Sequence, residues 1–153
     1  MRLFLLLTSL FFLLPSLSAQ EKELAVMAPL MLSGKWTGKL TQEKGGIAKT
    51  YYYEVELSLN GQDIVGTGMI RAGRMFGYFN IKGRLEGTKV TLEDIEITNE
   101  EIKERAAWCL KKMPLHFRFQ DRKYKLIGPW SGVVPWRDCS PGEIELEKAS
   151  IRA

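Results

Sequence analysis

One segment, Lys49 to Leu59, alternates more cleanly than any other in this chain. Tyr51, Tyr53, Val55, Leu57 and Leu59 fall on one side, and Tyr52, Glu54, Glu56 and Ser58 fall on the other. A two-residue period is what a strand with one buried and one wet face requires. Asn60-Gly61 follows directly and supplies the positive φ values of a tight hairpin turn, so a return strand is predicted over Asp63 to Arg71.

The same reading extends in both directions. Gly34 to Gln42 places Trp36, Gly38 and Leu40 on one side, and Lys44-Gly45-Gly46 forms a turn. Met75 to Leu85 and Lys89 to Thr98 follow, with turns at Ala72-Gly73-Arg74 and Glu86-Gly87. Val90 and Leu92 are in phase while Ile95 and Ile97 are one step off, which predicts a β-bulge near Glu93-Asp94 and makes Asp94 a candidate for turning inward. Asn99 to Ala106 is the one segment expected to form a helical turn, capped by Asn99. Further strands are expected over Ala107 to Phe119, bent at Pro114, over Lys123 to Gly132, and over Glu143 to Ser150. Eight strands joined mostly by short turns predict an all-β fold. An eight-stranded antiparallel up-and-down barrel is favoured, with a β-sandwich as the alternative.

The start of the chain reads differently. Arg2, the apolar run Leu3 to Leu14 and the small residues ending at Ala19 have the layout of a secretory signal peptide over residues 1–19. The apolar run falls short of the roughly 20 residues that span a bilayer, so no stable membrane span is expected after cleavage. Residues 20–32 form a lead-in that the sequence leaves open between an extended segment and a short helix plugging one end of the domain. Residues 33–150 make a single domain, large enough for one core.

Export to a periplasmic or extracellular compartment makes a disulfide the simplest use of the two cysteines, Cys109 and Cys139. Charge excludes little. The chain carries 22 Lys and Arg against 18 Asp and Glu, and the basic residues are mixed among acidic ones, so a nucleic-acid partner is not expected.

The opening of the first strand, Leu32-Ser33-Gly34-Lys35-Trp36-Thr37-Gly38, resembles the Gly-x-Trp start of the calycin superfamily, which includes the lipocalins and avidins. The resemblance covers that segment together with strand order and length. It implies a barrel whose closed end is crossed by Trp36, and it supports a fold rather than a ligand.

Chemistry-bearing motifs are absent. The single histidine, His116, lies between Leu115 and Phe117 and is expected to point outward with Arg118, while Leu115, Phe117 and Phe119 point inward. No zinc-ligand spacing occurs, and Gly66-Thr67-Gly68 lies within a strand rather than a phosphate loop. No catalytic residue, metal ligand or cofactor is therefore assigned.

What remains is aromatic. Trp36, Tyr51, Tyr53, Tyr78 and Trp130 are the candidate lining of an interior that the sequence leaves open between a packed core and a ligand cavity. The expectation is a non-enzymatic module holding a small apolar or amphipathic ligand. The alternative is an inhibitor-like or envelope accessory protein that meets a protein partner through its loops or its N-terminal segment.

Overall fold

The computed structural model describes residues 17–150. Most of the expected signal peptide lies outside the described residues; Leu17, Ser18 and Ala19 begin α1, Leu17–Met31. Nine strands follow: β1 Gly34–Thr41, β2 Thr50–Asn60, β3 Asp63–Ala72, β4 Met75–Glu86, β5 Lys89–Glu101, β6 Leu110–Gln120, β7 Lys123–Val134, the two-residue β8 Arg137–Asp138, and β9 Gly142–Lys148. Each of β1 to β6 pairs antiparallel with its neighbour in sequence. Pairing of β6 with β7, β7 with β9 and β9 with β1 closes the ring. The result is an eight-stranded antiparallel up-and-down barrel, with β8 folded back on the end of β7. Closure gives every strand of the ring a neighbour on both sides.

Alternation built this closure. In β2, Tyr51, Tyr53, Val55 and Leu57 are all buried. Asn60-Gly61 makes the hairpin, with Gly61 at φ 62°. Trp36, Leu40, Ile144 and Leu146 enter the same core from β1 and β9.

The lead-in is a helix. Ala28 and Leu32 are fully buried in the barrel core, with Leu24, Met27 and Met31 packed against it. The Trp36 indole Nε1–H donates to the Leu32 carbonyl at 2.8 Å, tying the helix exit to the first strand. Trp36 also meets Phe117 edge-on at 6.2 Å. The end of the barrel where β1 begins is thus closed by α1 and Trp36.

Three local expectations change. The helical turn expected over 99–106 is absent: β5 continues to Glu101, where Glu100 and Glu101 pair with Gly77 and Phe76, and a turn at Glu104-Arg105 follows. So short a segment cannot offset helix nucleation when a strand partner is available. Phe119 is exposed at the end of β6, with its ring tilted against Tyr124 at 5.0 Å rather than pointing inward. Tyr78 lies on the outer face, and Phe79 is the neighbour that enters the core.

Cys109 and Cys139 form a disulfide. It joins the β5–β6 connection to the segment before β9, across a sequence separation of 30. Closing a loop of that length stabilises a fold by about 3 to 4 kcal/mol on the chain-entropy estimate. Replacing both cysteines with serine should lower the urea unfolding free energy by about that amount; an unchanged unfolding midpoint would show that this link does not contribute.

Candidate functional site

Besides the tight β3–β4 turn at residues 73–74, the end of the barrel opposite α1 is built from three connections: residues 42–49 between β1 and β2, residues 102–109 between β5 and β6, and the β8 hairpin with the segment that leads into β9. They surround a cavity of about 150 Å³. Its apolar wall includes Leu40, Ile47, Tyr51, Ile70, Trp108 and Trp130, and the disulfide cysteines lie in the same wall. Arg105, Trp136 and Arg137, all exposed, contribute its rim.

The polar tips of the aromatic wall are already engaged by the protein. Tyr51 donates its hydroxyl proton to Gln42 Oε1 at 2.7 Å and accepts from the Ala48 N–H at 2.8 Å. Trp108 Nε1–H donates to the Phe76 carbonyl, and Trp130 Nε1–H to the Thr41 carbonyl, each at 2.8 Å. These bonds fix the rings and leave their apolar surfaces as wall. Gly77 makes room for one of them, since a Cβ there would lie 2.9 Å from the Trp108 ring. Tyr51 and Trp108 meet edge-on at 6.0 Å.

A charge pair is buried beside this wall. Lys111 Nζ lies 2.6 Å from Asp94 Oδ2, and both side chains are almost fully removed from water, at 2% and 0% exposure. The ammonium also sits 3.7 Å above the Phe79 ring and 3.4 Å from the Cys109 carbonyl. The bulge explains the geometry: Ile95 is skipped between Ile81↔Asp94 and Asn80↔Glu96, so β5 leaves its ladder with β6 after Glu93. Asp94, still in phase with Val90 and Leu92, faces inward, and its carboxylate accepts the Lys111 backbone N–H at 3.0 Å. Asp94 Oδ1 is buried without a partner. Burial raises the Asp94 carboxyl above its usual range and lowers the Lys111 ammonium below its own; each partner only partly offsets the other's shift.

Of the five aromatic residues singled out by sequence, Tyr51 and Trp130 meet at the cavity. Tyr53 is fully buried in the core, with its hydroxyl on Met113 Sδ at 3.3 Å and its ring 5.4 Å from Lys111 Nζ. Burial pushes its phenol well above the ordinary value. Trp36 lies at the α1 end and Tyr78 outside the barrel. Lys111, Arg105 and Arg137 were not singled out by sequence. A signal for Lys111 was present, because it shares the phase of Met113, Leu115 and Phe117. The arginines sit in connections without periodicity.

His116 is exposed on the outer face of β6, near a groove between that strand and α1. Among the described residues, no group of three or more His, Cys, Asp or Glu could hold a metal ion, and no helix is long and apolar enough to cross a membrane. Comparison with family models, with curated proteins and with solved structures returns no match to this chain.

Proposed function

We propose that this chain is an exported, non-enzymatic, calycin-like binding module whose open end takes a small apolar or amphipathic ligand. The observation that carries the reading is the 150 Å³ cavity walled by aromatic and aliphatic side chains whose polar tips are bonded to the protein. An apolar cavity of about 150 Å³ holds one benzene ring. The ligand, or the part of it that enters, is therefore ring-sized rather than a long chain. Burying about 150 Å² of such a ring is worth roughly 4 kcal/mol before the cost of association, so a ring alone binds weakly.

Isothermal titration with benzyl alcohol tests this. One saturable site is expected, lost in Ile70→Phe, which adds carbon atoms at the cavity wall. No binding by the unmodified protein, or equal binding by the variant, would overturn it.

A second reading, a module that meets a protein partner, is favoured by exposed Val26 and Leu30 on α1. Deleting residues 20–32 does not test it, because Ala28 and Leu32 belong to the core. Val26→Ser with Leu30→Ser should abolish capture of such a partner and leave benzyl alcohol binding unchanged; retained capture would reject that surface.

A further inference from the structure

Among the described residues, the charged ones that line the cavity are Arg105, Lys111 and Arg137, and no carboxylate lines it. Lys111 is matched by Asp94, but only the positive member of that pair reaches the cavity wall. Neither rim guanidinium, of Arg105 or of Arg137, has a hydrogen-bond or ion-pair partner among the described residues, so both are free to meet a ligand. The polar lining residues Gln42 and Ser140 are also bonded within the protein, to the Ser140 and Lys44 carbonyls. An incoming ligand at this rim thus meets free donors on two forked cations above a ring-sized hole with an aromatic wall.

Arg105, like Asp121 and Arg122 in the β6–β7 turn, is a residue other than glycine at positive φ. Its φ is 62°, a left-handed conformation that glycine adopts without strain and a β-carbon disfavours. The backbone of that turn would be better served by glycine, so the turn itself gives no reason for an arginine there.

We infer that the ligand of this cavity is a small organic anion, with its apolar ring or short branched body between Tyr51, Trp108 and Trp130 and its carboxylate or phosphate head at Arg105 and Arg137. The inference rests on the proposed binding role of the cavity and adds the charge of the ligand. A body of this size brings its anionic head to the rim, where the guanidinium forks donate parallel N–H bonds to two of its oxygens. The head remains partly in water, so its contribution is sensitive to salt.

Titration of benzoate, phenyl phosphate and neutral benzyl alcohol into the protein at low ionic strength tests this. Benzoate or phenyl phosphate should bind about tenfold more tightly than benzyl alcohol, a gain of about 1.4 kcal/mol, and whichever is tighter identifies the head. The preference should shrink in 0.5 M salt, a concentration at which the screening length is down to roughly 4 Å. Arg105→Gly combined with Arg137→Gln should bring the affinities for benzoate and phenyl phosphate down to that of benzyl alcohol for the same variant. Because glycine suits the turn at position 105, that variant should melt no lower than the original protein. Benzoate and phenyl phosphate binding no better than benzyl alcohol would overturn the inference and leave the cavity reading standing. If none of the three binds, the cavity reading itself fails and this inference fails with it.

Discussion

Asp94→Ala is expected to lower the unfolding free energy by about 3 to 5 kcal/mol, because it leaves the Lys111 ammonium buried with no counter-charge. The Lys111 backbone N–H loses its acceptor in the same step. The pair is not itself a source of stability. A carboxyl pushed up and an ammonium pushed down are both less willing to ionise in the folded chain than in the unfolded one. Near neutral pH, where the unfolded chain carries both charges, each shift therefore subtracts from stability, and removal from water outweighs the mutual attraction. The double variant Asp94→Asn with Lys111→Met removes both charges and keeps an oxygen for the backbone N–H. Urea unfolding followed by tryptophan fluorescence should place it within about 1 kcal/mol of the original protein. A double variant as unstable as Asp94→Ala would show that the charges themselves support the fold.

Trp36→Ala is expected to cost a similar amount, about 3 to 5 kcal/mol, for a different reason. Trp36 is fully buried, touches Phe117 and holds the Leu32 carbonyl. Truncation leaves a cavity at the closed end and frees the helix exit together. Trp36→Phe retains most of the ring and gives up the N–H bond, at about 1 to 2 kcal/mol. A loss below 1 kcal/mol for the alanine variant would mean that the α1 end is not a packed part of the core. Binding at the opposite end should be unchanged in Trp36→Phe.

Strand positions were legible because a half-buried strand writes its two faces directly into the sequence. Tyr51 to Leu57 and Ile144 to Leu146 follow that rule, and so do the turns at Asn60-Gly61 and Glu86-Gly87. The break of phase at Ile95 announced a bulge, and the unbroken alternation of Val90, Leu92 and Asp94 before it turns Asp94 inward. Other features depend on contacts that no local pattern carries. Residues 100 and 101 have helix-forming side chains but a strand partner in β4. The lead-in carries apolar side chains that reach the core only once the barrel exists to receive them. Lys111 was hidden by its chemistry: a lysine beside a second lysine reads as surface until its phase with Met113 and Leu115 is given priority. The site was less legible than the fold, since a cavity is a property of where three connections meet, and Arg105, Trp136 and Arg137 come together only through the disulfide and the β8 hairpin.

Methyl NMR of the isoleucine- and leucine-labelled protein, titrated with benzyl alcohol, examines the central claim most directly. Resonances of Leu40, Ile47 and Ile70 should shift together along one saturable curve, while those of Leu32 and Leu57 beside α1 stay in place. Shifts centred on the α1 end, or none at the mouth, would contradict a barrel that is closed at one end and receives its ligand at the other.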